Sequence, residues 1–298
     1  MKKAGNFFNK LLMFLSIAWL VTVGLESYNV KNLAKGVVAL APNSAQCYDY
    51  TYRLNEQQKV LYNQMLEQIQ AGKLKVKSEL IKELPTDEVV ETTLAILDDH
   101  PEFFWLKHGY RVEPTNKRVT FEAYNYLGIT ISPEKYGNAF YNGLEHISNQ
   151  VENVSGTSEK VKFAHDYLVR NISYNHKAAD ETSYAKLNNY TSEYAVAATS
   201  YGALVNYSAV CAGYAKGFQA VLQRNGICCG YVTGETEPGP HAWNVVNVNG
   251  NDYYFDVTWD DVGDYYQPPN DLVYTYYALD ETEMEKDHKA DEFYHKRN

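Results

Sequence analysis

Two runs of alternating strand character, His241 to Val248 and Asn251 to Trp259, are separated only by Asn249-Gly250. That dipeptide favours a two-residue hairpin loop, because both of its residues tolerate positive φ. Such a loop sets Val248 opposite Asn251, and counting outward brings Trp243 opposite Asp256 and His241 opposite Thr258. Odd positions of the first strand then share a face with even positions of the second. His241 and Asp256 become diagonal neighbours at about the 7–8 Å backbone separation of such pairs, a gap their side chains bridge. A bulged or three-residue loop reverses this parity. The hairpin commits this end of the chain to an antiparallel sheet and two polar side chains to one point.

A helix is expected just upstream. From Ala212 the residues Ala215, Phe218, Val221 and Leu222 fall on one helical face, and Asn225-Gly226 supplies a left-handed stop. Cys211 stands at the start of that helix, where unpaired N–H groups and the positive end of the dipole favour a thiolate and offer donors to a developing oxyanion. Gly213 and Gly217 are costly inside a helix, so another backbone or a substrate is expected to approach there. Thiol, imidazole and carboxylate together suit nucleophilic acyl transfer. Asp256 accepts a hydrogen bond from one imidazole nitrogen while the other faces the thiol, which fixes the tautomer and supports the imidazolium.

The net charge of −10 over 298 residues argues against a nucleic-acid partner. The four cysteines, Cys47, Cys211, Cys228 and Cys229, match neither a disulfide framework nor a zinc knuckle, and the three apart from Cys211 are expected to be ordinary packing. No metal and no cofactor is called for. An acidic cluster, Asp260, Asp261 and Asp264, reads as a solvated loop, with a cation site as the alternative reading. Lys2, Lys3 and Lys10 precede an uncharged apolar run from Leu11 to Leu25, the layout of an export signal. Residues 1–26 are expected to be a signal peptide or a membrane anchor. Both place the rest of the chain outside the cytoplasm, either secreted or held at the cell surface.

Residues 27–51 read as a linker, 52–150 as an α+β region of unassigned role and 151–298 as the catalytic domain. Asn55 and Gln58 form a capping box before a helix that Gly72 stops, and a second helix runs from Thr86 to before Pro101. Short strands are expected over Phe103–Leu106, Tyr110–Val112 and Arg118–Tyr124, then helices from Pro133 toward Val151 and from Ser158 to Arg170. His100, His108, His146, His165 and His176 are dispersed and read as surface or packing residues.

The blocks Tyr201-Gly202-Ala203-Leu204 through Val210-Cys211-Ala212-Gly213-Tyr214-Ala215, then His241-Ala242-Trp243-Asn244, then Asp256-Val257-Thr258-Trp259-Asp260 resemble, in order, those of the bacterial transglutaminase-like superfamily. The resemblance spans about Ser158 to Val262. It implies Cys211 as nucleophile, His241 as base and acid, Asp256 as orienter, and an α+β, papain-like core with the cysteine helix packed on an antiparallel sheet. Asn206-Tyr207-Ser208 departs from the Gly-Lys type turn of many relatives, which leaves substrate shape open. The sandwich domains of large animal transglutaminases are not in the N-terminal half, so their calcium dependence is not carried over. Tyr201 or Tyr207 is a candidate second oxyanion donor, and Trp243 either shields a thioester or packs in the sheet.

The expected function is acyl transfer from a glutamine carboxamide of a protein or peptide, extracellular or at the cell surface, through a thioester on Cys211. An amine acceptor gives crosslinking, and water gives deamidation or, from a peptide bond, proteolysis. A noncatalytic cell-surface binding module on an enzyme fold is the reading of another class. Any membrane contact is expected only through an uncleaved N-terminal segment.

Overall fold

The computed structural model describes residues 50–126, 129–130, 132–180, 194–262 and 272–291. The export segment and the linker up to residue 49 lie outside the described residues. The linker's last residues belong to the fold: Tyr50–Arg53 forms a 3-10 turn. The Tyr50 N–H donates to Asp99 Oδ1 at 2.7 Å, and its hydroxyl to the Tyr231 carbonyl at 2.5 Å. No helix of the described residues is long and apolar enough to cross a membrane.

Helix α1 (Glu56–Gln70) begins with both halves of the Asn55–Gln58 capping box and buries Leu61, Met65 and Ile69. Strand β1 (Lys75–Lys77) follows, and then helix α2 (Thr86–Asp99). Strands β2 (Leu106–Glu113) and β3 (Arg118–Ala123) complete a three-stranded antiparallel sheet of order β1-β3-β2. Two expected strands merge here into β2, with a register shift between Leu106 and Tyr110. Phe103 and Phe104 stay outside it because their rings are buried in an aromatic cluster with Trp105 and Phe140. Helices α3 (Pro133–Glu152) and α4 (Thr157–Asn171) lie close to the expected boundaries.

At the centre lies helix α5 (Cys211–Arg224). The sequence predicts one apolar face, yet Gly213 to Leu222 are buried almost all round, apart from Lys216. The polar members of that run have work: Lys216 donates to the Leu97 carbonyl at 3.1 Å, Gln219 to Asp98 at 2.7 Å and Gln223 to Asp99 at 3.3 Å. These donors satisfy the last carbonyls of α2, which have no intrahelical partner. The N-terminal region is thereby fixed to α5. One continuous core runs from Leu61 and Ile96 through Phe104 and Phe140 to Phe218 and Phe255.

On another side of α5 lies a four-stranded antiparallel sheet of order β6-β5-β4-β7, with β4 Cys229–Thr236, β5 Gly239–Val248, β6 Asn251–Phe255 and β7 Lys289–Ala290. Asn244 ties helix to sheet, its amide donating to the Ala215 carbonyl at 3.0 Å and the Gly230 carbonyl at 3.1 Å. The fold is α+β, with the cysteine helix packed on an antiparallel sheet. The hairpin has its expected register, Val248 opposite Asn251, and positive φ at Asn249 and Gly250. Its second strand is shorter than expected. It stops at Phe255, because the Asp256 side chain accepts from the Thr258 and Trp259 N–H groups and turns the chain into a helical turn, α6 (Val257–Asp260). Thr258 therefore does not oppose His241, whose strand partner is Gly234 on β4.

Candidate active site

Extended Val210 leads into α5, so Cys211 is its first helical residue. The first bonds of the helix run from the Gly213 and Tyr214 N–H groups to the Val210 carbonyl, at 2.8 and 3.0 Å. The amides of Cys211 and Ala212, which precede them, have no helical carbonyl within reach. The entry loop is locked by the Val210 N–H on the Ala197 carbonyl at 3.0 Å. Gly213 makes this possible: a Cβ there would lie 2.2 Å from the Ala197 carbonyl oxygen. At Gly217 a Cβ would lie 2.8 Å from Ala203 Cβ. The close approach expected at these glycines is that of protein neighbours, not of a substrate.

Cys211 is partly exposed and lines a cleft of about 570 Å³ together with Tyr174, His176, His241 and Trp259. Cys211 and His241 line this cleft together, and the thiol contributes to raising the His241 imidazole. His241 Nε2 is 2.7 Å from Asp256 Oδ2, which leaves Nδ1 for the thiol. Asp256 is buried, and its other oxygen takes the Thr258 and Trp259 N–H groups at 2.9 and 3.2 Å. The structure thus brings Cys211, His241 and Asp256 together.

Charge follows from this arrangement. Burial opposes a positive His241, but the Asp256 carboxylate, its hydrogen bond and the Cys211 contact outweigh it and raise the imidazole to about 10. Burial likewise opposes a charged Asp256, and the attraction and hydrogen bonds of His241 and His288 nevertheless hold it below the usual aspartate range. The two groups form one coupled pair, and both shifts favour its ionised form.

His288 escaped the sequence reading. It is buried against the same carboxylate, Nε2 to Asp256 Oδ2 at 3.2 Å, and its Nδ1 is 2.6 Å from Asp287 Oδ1. Trp259, in the last of the resembling sequence blocks, has its ring 5.2 Å from that of His241 and 4.5 Å from that of His288. Trp243 is buried against Val232, Val245 and Met284, the sheet-packing option of the two left open. Among the described residues, His241, Asp256 and His288 form the one group whose donor atoms approach closely enough to hold a cation, within 4.8 Å of one another. Those atoms are already engaged with each other through Asp256 Oδ2.

Several expectations change. Asp260 is no solvated loop residue: it is buried, with Oδ2 3.1 Å from His165 Nε2 and Oδ1 accepting from the Tyr276 N–H at 2.9 Å. Asp261 accepts from the Tyr214 hydroxyl, and Asp264 lies outside the described residues. The dispersed histidines are not isolated. His165 is held between Asp166 and Asp260, His100 between Glu102 and Tyr62, and His108 is 3.1 Å from Asp98. Neither Tyr201 nor Tyr207 lines the Cys211 cleft: Tyr201 packs on Phe104 and Tyr136, and Tyr207 is exposed. Cys229 is free and buried as expected, whereas Cys228 is disulfide-bonded. Cysteine spacing reveals a framework only where several bridges recur in a short chain, and a single bridge has no such pattern.

Residues 145–257 match the family model of the transglutaminase-like superfamily. Two solved structures are similar to parts of this chain at 20% identity. One is a crystal structure of a TGase, covering 49% of this chain and 38% of that one with a TM-score of 0.37. The other, from Cytophaga hutchinsonii and described as a candidate cysteine protease, covers 45% of this chain and 40% of that one with a TM-score of 0.31. This chain therefore spans less than half the length of either, and at such scores the superpositions carry no argument. No curated protein sequence matches the chain significantly. Cys211 and His241 lie within the matched residues and Asp256 near their end, so residues 145–257 carry a core of the transglutaminase-like superfamily type.

Proposed function

We propose that the chain is an exported cysteine acyltransferase that forms a thioester between Cys211 and a glutamine carboxamide. The reading is carried by one observation: a cleft lined by a thiol and by an imidazole whose Nε2 is 2.7 Å from a buried carboxylate. With His241 held as the imidazolium, the proton of Cys211 rests on Nδ1 and Sγ adds to the carboxamide carbon as the thiolate. The carbonyl oxygen becomes an oxyanion within reach of the Cys211 and Ala212 amides. The C–N bond then breaks, and His241 returns the proton to the departing ammonia. In the second half-reaction a primary amine adds to the thioester, gives a proton to His241 and forms a new amide. The thiolate leaves, and that proton stays on His241.

Protein or peptide substrates outside the cytoplasm fit the proposal. A disulfide at Cys228 supports the compartment, because such bonds persist in oxidising surroundings. The cleft volume of about 570 Å³ falls in the range of sites that bury a small-molecule-sized group.

The test incubates the protein with a glutamine-bearing peptide and a labelled primary amine and reads the products by mass spectrometry. Amine incorporation is the expected result. A one-unit mass gain assigns deamidation, chain cleavage assigns peptidase activity, and no covalent change assigns a binding module.

A further inference from the structure

We infer that His288 is a positioning residue of this site, a second imidazole on Asp256 that weakens the carboxylate's hold on the His241 proton. Its role in turnover rests on the acyl-transfer proposal above, whereas the geometry stands without it.

Asp256 has no unused oxygen. Oδ1 accepts from the Thr258 and Trp259 N–H groups, and Oδ2 lies 2.7 Å from His241 Nε2 and 3.2 Å from His288 Nε2. His288 Nδ1 faces a second carboxylate, Asp287 Oδ1, at 2.6 Å. Ionised carboxylates only accept, so both contacts are hydrogen bonds only when the His288 ring carries both protons. The ring is then a fully buried cation between two anions, the pairing that makes such burial tolerable.

The groups facing His288 are few. Asp256 comes from the start of α6, His241 from β5, Asp287 from its own segment and Tyr276 from the stretch before it. Tyr276 donates its hydroxyl to Asp287 Oδ2 at 2.7 Å, and its ring is 5.3 Å from that of His288. Trp243 and Trp259 close the remaining sides with rings at 4.9 and 4.5 Å. The imidazoles of His241 and His288 are 5.6 Å apart, so two rings share one carboxylate charge and repel when both are protonated.

Chemistry gives the arrangement a use. His241 must surrender its proton to a leaving amine, and an imidazolium held too strongly by its carboxylate fails at that step. A neighbouring cation lowers its proton affinity. Strand β7 delivers His288 to this place: Lys289 pairs with Glu235 and Ala290 with Gly234, where a Cβ would lie 2.0 Å from the Lys289 carbonyl oxygen. His288 lies beyond residue 257, where the family match ends.

The experiment follows the titration of the His241 ring by NMR in histidine-labelled full-length protein, the signal being assigned by its loss in His241→Gln. In His288→Phe the His241 midpoint is expected to rise by at least about half a pH unit, a threefold gain in proton affinity. Asp287→Asn, at a partly exposed position, serves where His288→Phe does not fold, and it should shift the midpoint the same way by less. An unmoved or lowered His241 midpoint in the folded variants overturns the inference. The readout involves no acyl transfer, so failure of amine incorporation leaves it standing, and its own failure leaves the thioester proposal standing.

Discussion

His241 Nε2 and Asp256 Oδ2 are 2.7 Å apart although the strands that lead to them stop pairing short of both. The last pair of the hairpin is Asn244 with Phe255, and His241 is paired on its other side with Gly234. Asp256 leaves the sheet to cap α6, and that cap aims its second oxygen at the imidazole. One carboxylate thus both ends a strand and orients a ring. Asp256→Asn keeps a capping oxygen but loses the anion, so the acyl-transfer rate is expected to fall by about 10³ to 10⁴ with the fold retained, the scale known for such orienting carboxylates. Circular dichroism beside the rate measurement checks this.

The His241–Asp256 pair also makes stability depend on pH. His241 is raised to about 10 in the fold from an ordinary value of 6.5, so the unfolded chain loses this proton first as pH rises. The contribution is fully present below 6.5 and is lost as pH rises through about 10. Melting temperature should fall from pH 7 to 10, and His241→Gln should flatten that part of the profile. An equally steep fall in the variant would contradict the assignment.

Gly213→Ala should destabilise more than Gly217→Ala. The first places a Cβ 2.2 Å from a backbone oxygen that cannot move without unlocking the Cys211 loop, the second 2.8 Å from a side-chain methyl carbon. Overpacking of this kind costs about 1–3 kcal/mol, which urea unfolding resolves. Gly213→Ala should also slow alkylation of Cys211, because the displaced loop carries the thiol.

Reduction of the disulfide at Cys228 should lower stability by about 2–4 kcal/mol, the usual range for one bridge. Thermal melts with and without reductant, compared with Cys228→Ser, give the difference. A variant that melts like the oxidised protein would show that the bridge constrains nothing.

The Cys211 helix and the hairpin were legible in the sequence because both follow from local rules. A left-handed stop at Gly226 ends α5, and the Asn249-Gly250 loop fixes strand parity. The capping box at Asn55 was equally local. What stayed hidden depends on distant chain. His288 reaches Asp256 through the pairing of β7 with β4, and no spacing rule connects residue 288 to residue 256. Asp260 looked solvated because its buried partner, His165, is 95 residues away in α4. The alternation pattern runs on past Phe255, and the capping role of Asp256, which competes with it, ends the strand there.

The most direct measurement of the central claim is intact-mass and peptide-mapping analysis after brief exposure to a glutamine-mimicking electrophile at neutral pH. The account predicts one adduct per chain, on Cys211, with labelling slowed by at least about 10² in His241→Ala, the scale of a lost general base. Labelling of Cys211 at the same rate in wild type, His241→Ala and the urea-unfolded chain would contradict it.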